Sequence, residues 1–137
     1  MSKAIRFKNN IYLDSQSVVH NKISLNEILT PDLIYEGYIT PATGIKNIGS
    51  ITKYKRLLIC LEANGAHTTV TLMPYHYGNY YGVNWQAMDN RLATYYVTFK
   101  ITPEGEVTIL HSGYMLSSST SDYVRDYGIS KIYGFKY

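Results

Sequence analysis

The chain has 137 residues, enough for one hydrophobic core and too few for two independent ones, so a single globular domain with at most a small terminal appendage is expected. Its 13 basic and 10 acidic residues leave a net charge of +3, and the lysines and arginines are scattered rather than gathered into a nucleic-acid footprint. The single cysteine, Cys60, excludes an internal disulfide framework, and no run approaches the ~18 apolar residues that cross a bilayer as a helix.

The opening "MSKAIRFKNN" lacks the apolar centre of an export signal, so a protein made in the cytoplasm and carried out, if at all, on a larger assembly is expected. "SLNE" has the form of a capping box, with Ser24 at the N-cap and Glu27 three residues on. It opens a turn or two of helix in which Leu25, Ile28 and Leu29 line one side before Pro31 stops it. A helix this short is not stable alone, so its apolar stripe must bury against its own domain or against copies of itself. Residues 1–30 therefore read as an N-terminal arm or oligomerisation stem, and residues 31–137 as the main domain.

From residue 32 the signals are those of strands. "DLIYEGYIT" is the first, and Lys53, Lys55 and Arg56 mark the solvated start of the next. That next run, "KRLLICLEA", is nearly continuous in apolar residues, which suits a central strand covered on both faces, with Cys60 as a small buried hydrophobe. Asn64-Gly65 is the strongest hairpin signal in the chain, and "HTTVTLM" after it alternates Val70 and Leu72 against threonines. In "ATYYVTFKI", Tyr95, Val97, Phe99 and Ile101 fall on one face and Thr94, Tyr96, Thr98 and Lys100 on the other. "TPEGE" supplies a turn, Pro103 pre-setting it and Gly105 free to take positive φ, and "VTILHS" returns with Val107, Ile109 and His111 on one side. "GYMLSSSTSDYVRDYG" reads as a mobile polar loop or a short edge element, and "ISKIYGFKY" as the last strand. Short strands with regular turns predict an all-β chain, an antiparallel β-sandwich or barrel, of which a jelly-roll-like sandwich is the expectation.

Chemistry is harder to find. His20, His67, His76 and His111 have neither i, i+4 spacing nor a cysteine pair nearby, no nucleophile motif is present, and "GNYYG" is followed by neither lysine nor helix start. No catalytic residue, metal ligand or cofactor is expected. What stands out is "MPYHYGNYYGVNW", residues 73–85, in a chain where 15 of the 19 aromatic residues are tyrosine. Tyr75, Tyr77, Tyr80, Tyr81 and Trp85 could stack on the apolar face of a sugar ring, with Asn79, Asn84 and Gln86 for its hydroxyls. The same composition suits an inter-subunit contact or plain tertiary packing, and sequence leaves all three open.

The two ends add a resemblance. The stretch "MSKAIRFKNNIYLDSQSVVHNKISLNEIL" resembles the start of short structural proteins from tail modules of phages and prophages of Gram-positive bacteria. The closing "ISKIYGFKY" resembles the final strand of receptor-binding heads in tail-fibre and baseplate proteins, which commonly end on an Ile-x-x-Ile-x-Gly-x-Lys pattern, here Ile129, Ile132, Gly134 and Lys136. The resemblance implies a homotrimer bundled through the N-terminal segment, other tail or virion proteins as partners, and a β-sandwich head that contacts a host cell-wall saccharide or another surface receptor. It implies a virion location, with no nucleic acid bound and no membrane insertion. Fibres of this kind usually carry a longer attachment domain or shaft, so an accessory tail protein is also in view. The alternatives are a purely structural virion subunit without a saccharide site and a small lectin unrelated to phage.

Overall fold

The computed structural model describes residues 5–7, 10–12, 19–20, 23–87, 93–117 and 121–137. In the N-terminal arm β1 (Ile5–Phe7) pairs with β2 (Asn10–Tyr12), and β3 (Val19–His20) with β4 (Ile23–Ser24), ahead of the five-residue helix α1 (Leu25–Leu29). Thr30 closes the helix with an N–H bond to the Asn26 carbonyl (2.9 Å), and Pro31, which has no N–H to give, follows where expected. The side chains of Ser24, Glu27 and Ile28, which carry the expected capping box and the middle of the apolar stripe, lie outside the described residues.

The remaining strands run β5 (Asp32–Ile39), β6 (Lys46–Asn47), β7 (Arg56–Ala63), β8 (Ala66–Leu72), β9 (Tyr80–Ala87), β10 (Ala93–Ile101), β11 (Glu106–Leu116), β12 (Asp122–Val124) and β13 (Gly128–Phe135). They make a sandwich of two antiparallel sheets. One has the order β5-β13-β7-β8; the other has the order β12-β11-β10-β9, with β6 added against the start of β11. The core lies between them. Ile39, Leu57, Ile59, Leu61, Ile129 and Ile132 from the first sheet meet Val97, Phe99, Ile101 and Val107 from the second, all essentially inaccessible to water. Burying side chains of this size contributes about 1.5–3 kcal/mol each, which is what holds two otherwise separable sheets together.

Turn chemistry fixes the registers. Asn64 (φ 49°) and Gly65 (φ 80°) both take positive φ, the type I′ geometry whose twist matches the flanking strands, and β7 then pairs with β8 without a shift from Ala63↔Ala66 to Leu57↔Leu72. Gly105 (φ 92°) serves the β10–β11 turn as expected, and its missing side chain leaves room for the Gly49 carbonyl, which would stand 1.8 Å from an added Cβ. On β10 the alternation read from sequence holds along its length, with Ala93, Tyr95, Val97, Phe99 and Ile101 inside.

Four expectations are corrected. β7 is central, but its second face (Leu58, Cys60, Glu62) is half-buried rather than covered, because no layer packs on that side among the described residues. Residues 80–87, read as part of an aromatic segment, form a full strand. Residues 113–116, assigned to a polar loop, continue β11, and the edge element is β12. Finally, His111 does not share a face with Val107 and Ile109. Phe99 pairs with Ile109 and Thr98 with His111, so Leu110 is an extra residue, a β-bulge. The bulge reverses the phase of the strand: Leu110 and His111 turn out, and Ser112 and Tyr114 turn in.

A second bulge explains the spacing of Ile129 and Ile132, which is odd for two residues that both point inward. Ile129 pairs with Leu61 and Lys131 with Cys60, leaving Ser130 as the inserted residue. Gly134 then passes under the Tyr54 ring, where an added Cβ would come within 2.4 Å of it, and Lys136 reaches Asp32 at 3.3 Å. Each position of the closing pattern thus has a local physical use.

Candidate functional site

The strand β9 divides the aromatic segment by simple alternation. Tyr81, Val83 and Trp85 face inward and pack against the core, whereas Tyr80, Gly82, Asn84 and Gln86 face water. Ahead of the strand, Pro74–His76 forms one 3₁₀ turn that leaves Tyr75 exposed at 75 %. His76 is tied into that turn: its Nδ1 accepts the Met73 N–H at 3.0 Å, and its ring lies between those of Tyr75 (4.2 Å) and Tyr81 (4.7 Å). Tyr77 packs on the core, and burial pushes its phenol up. Its hydroxyl and the Trp85 indole N–H are both buried without a hydrogen-bond partner among the described residues. The seven residues singled out from sequence therefore do not form one surface. Tyr80 and Asn84 share an open sheet face, Tyr75 and Asn79 are exposed on the turn before it, and Tyr77, Tyr81 and Trp85 belong to the interior.

The open face continues across β10 and β11. In register, Tyr80 stands opposite Lys100, Gly82 opposite Thr98, Asn84 opposite Tyr96 and Gln86 opposite Thr94. On the far side of β10, Thr98 stands opposite His111, Tyr96 opposite Gly113 and Thr94 opposite Met115. The Lys100 ammonium sits over the Tyr80 ring, 4.7 Å from its centroid, and Tyr80 remains 48 % exposed. Gln86 donates to Thr94 Oγ1 at 3.5 Å. Gly82 adds no side chain, so the surface dips between Tyr80 and Asn84.

At the other margin of the face three side chains interlock. The Tyr96 hydroxyl donates to Asp122 Oδ1, His111 Nε2 lies 3.8 Å from Asp122 Oδ2, and the Tyr96 and His111 rings are 4.9 Å apart. The bulge at Leu110 is what brings His111 to this side. Gly113 is what lets Tyr96 lie across the sheet, since an added Cβ would stand 2.5 Å from its hydroxyl oxygen and 2.4 Å from the Tyr123 carbonyl oxygen. Burial first, and the hydrogen bond and charge of Asp122 next, push the Tyr96 phenol well above its usual range. It is a neutral donor at physiological pH. The arrangement offers stacking faces, amides and hydroxyls on an open surface, groups suited to holding a polar ligand.

Tyr96, Thr98, Lys100, His111 and Asp122 were not among the candidates taken from sequence. The alternation of "ATYYVTFKI" put the first three on an outward face, so a signal existed for them. None existed for Asp122, which sits on a three-residue strand, or for His111, whose phase depends on the bulge.

A second feature lies where α1 meets the sandwich. Asn26, Thr30, Asp32, Lys136 and Tyr137 line a cleft of about 310 Å³. The Tyr54 hydroxyl donates to Asp32 Oδ2 at 3.0 Å, and this bond, together with Lys136 and Lys53, holds the Asp32 carboxyl below its usual range against the opposing effect of desolvation. Tyr54 is pushed up to about 12 by burial and by the same bond. Leu25 and Leu29 on α1 are 40 % and 64 % exposed, and Leu33 and Tyr137 are likewise open. On the half-buried outer face of the β5-β13-β7-β8 sheet, burial raises the Cys60 thiol against the pull of Lys131, so it is no ready nucleophile. Among the described residues no three of His, Cys, Asp and Glu converge to hold a metal ion, and no helix is long and apolar enough to cross a membrane. No protein-family model, curated protein or solved structure matches this chain.

Proposed function

We propose that this chain is a non-enzymatic binding module, the head of a phage or prophage tail-fibre-type structural protein, and that it engages a host surface saccharide through the outward face of β9, β10 and β11. One observation carries the binding part of this reading. Tyr80 presents a half-exposed ring beside a glycine dip, opposite Lys100 and on the same face of the sheet as Asn84 and Thr98. A pyranose has an apolar face that stacks on such a ring and hydroxyls that exchange hydrogen bonds with amides, hydroxyls and an ammonium. Because the side chains stand on paired strands, little ordering entropy is lost on binding. The phage assignment rests on the resemblance of the two ends of the chain. A virion location follows from it, and so does a homotrimer, in which copies of α1 would cover Leu25, Ile28 and Leu29. The test is titration of Gram-positive cell-wall saccharide into the wild type and into Tyr80→Ala and Asn84→Ala. Losses of about 1–3 kcal/mol in a folded variant are expected for an anchor side chain, and unchanged affinity in both variants would remove this face from consideration.

A second reading is favoured by the other end of the sandwich. The exposed Leu25, Leu29, Leu33 and Tyr137 beside the cleft suit a surface that docks on another tail or virion subunit, with no saccharide involved. Co-purification with virion proteins that is lost on Leu29→Asp, alongside no response to cell-wall saccharide, would favour that reading.

A further inference from the structure

The two flanks of the sandwich are built differently. On one flank the first sheet ends at β5, whose pairing with β13 is interrupted by two register shifts and which carries Asp32 and Glu36, paired with Lys136 (3.3 Å) and Lys131 (3.7 Å). The second sheet ends on that flank at β12, three residues long and starting on Asp122, and at the two-residue β6 against the start of β11. Bulges, charges and short strands are the usual means by which a sheet edge is kept from pairing with another chain. On the opposite flank the sheets end at β8 and β9, which approach one another. Neither carries an Asp, Glu, Lys, Arg or Pro, and both pair with their inner neighbours without a register shift. The edge of β8 is also wet on its inner side, where Thr68 and Val70 remain half-exposed.

The hairpin turn settles which backbone groups of β8 are unused. In a two-residue type I′ hairpin the residues flanking the turn, Ala63 and Ala66, exchange both hydrogen bonds, and bonded and non-bonded pairs alternate from there. Ala66, Thr68, Val70 and Leu72 are thus bonded to β7. His67, Thr69 and Thr71 aim their N–H and C=O groups away from the sheet, and among the described residues no backbone bond takes them up.

We propose that this edge pairs with the same edge of a second copy of the chain, β8 antiparallel to β8, with the two-fold axis at Thr69. The strand is complementary to its own reverse. Thr69 would face Thr69 and His67 would face Thr71 on the outer side, each pair exchanging both backbone hydrogen bonds. On the inner side Thr68 meets Val70, a side chain of nearly its own shape, and Ala66 meets Leu72, small against large. No charge is opposed to a like charge, a threonine pair is a favourable cross-strand neighbour, and Thr68 and Val70 are both β-branched and suited to a strand. The pairing covers the half-exposed Thr68 and Val70 and joins the two β5-β13-β7-β8 sheets into one. Taken by itself such an isologous contact closes on itself and pairs two copies, whether each copy is a single chain or part of a trimer. It is independent of the saccharide reading, since it uses the other sheet.

The test is the mass of the full chain by sedimentation over a range of concentrations, for the wild type, Thr69→Lys and Thr71→Lys. The substituted side chains point to water in the single copy, and Thr69→Lys sets two ammonium groups against each other at the axis. The wild-type assembly is expected to have twice the mass of either variant. Residue-level hydrogen exchange accompanies it. The amides of His67, Thr69 and Thr71 should exchange about tenfold or more faster in the variants than in the wild type. Those of Thr68 and Val70 should stay protected in both, which verifies that the hairpin is folded. Equal masses for the wild type and folded variants, or unprotected Thr69 and Thr71 amides in the wild type at high concentration, would overturn the proposal.

Discussion

Tyr81, Trp85 and Tyr95 turn inward from the same two strands that turn Tyr80 and Tyr96 outward. The inner row is closed off by the opposite sheet, with Tyr95 only 2 % exposed and Trp85 5.8 Å from it. The outer row meets no second layer among the described residues, and its rings are held from the side instead, Tyr80 by Lys100 and Tyr96 by Asp122 and His111. Residue type is therefore a poor guide to role in this chain. The period of two decides whether a tyrosine stabilises the fold or faces a partner, and a substitution should disturb one and spare the other.

The largest effect is expected in the inner row. Phe99 is fully buried, so Phe99→Ala should cost about 3–5 kcal/mol in urea unfolding, the usual price of an aromatic-sized cavity. A loss below about 1 kcal/mol, within the range of surface changes, would show that the row is not packed as described. Gly113→Ala tests the join between the rows, because its Cβ would collide with a backbone carbonyl that cannot swing aside. A cost of about 1–3 kcal/mol is expected, together with a fall of the Tyr96 phenol toward its ordinary range in an ultraviolet titration as the bond to Asp122 is lost. An unchanged titration would mean that Tyr96 does not depend on that glycine.

Smaller effects follow from the buried tyrosine at the other end. Tyr54 has an ordinary value of 10.0 and is raised to about 12 in the folded chain. The folded state holds the proton more tightly, so this contribution is fully present below pH 10.0 and is lost as the pH rises toward about 12. Tyr54→Phe should flatten the alkaline fall in stability over that window, and an equally steep fall would contradict the assignment. Asp32 behaves in the opposite sense: its lowered carboxyl contributes above its ordinary value of 3.8 and ceases to do so as the pH falls. The smallest effect belongs to the outer row, where Tyr80→Ala should change stability by no more than about 0.5 kcal/mol.

How far the fold was legible depended on whether local rules were interrupted. "ATYYVTFKI" and the Asn64-Gly65 turn read correctly because an unbroken period of two and a positive-φ dipeptide act within a few residues. His111 did not, since one inserted residue at Leu110 reverses every later side chain, and no residue type announces such a bulge. β9 carried a usable signal in Tyr81, Val83 and Trp85, but an aromatic-rich composition drew the reading to side-chain chemistry and away from the strand period. The same oversight joined Trp85 to Tyr80 as candidate ligand contacts, although strand geometry sets them on opposite sides. The half-open face of β7 was unreadable because an apolar run looks alike whether one or both of its faces are covered.

The contrast between the rows is also the most direct test of where a ligand is held. Gram-positive cell-wall saccharide titrated into the wild type, Tyr80→Ala and Trp85→Phe should bind the first and third alike and the second about tenfold or more weakly. Tyr80→Ala binding as tightly as the wild type, or Trp85→Phe alone losing affinity while remaining folded, would contradict a ligand face on the outward side of β9, β10 and β11.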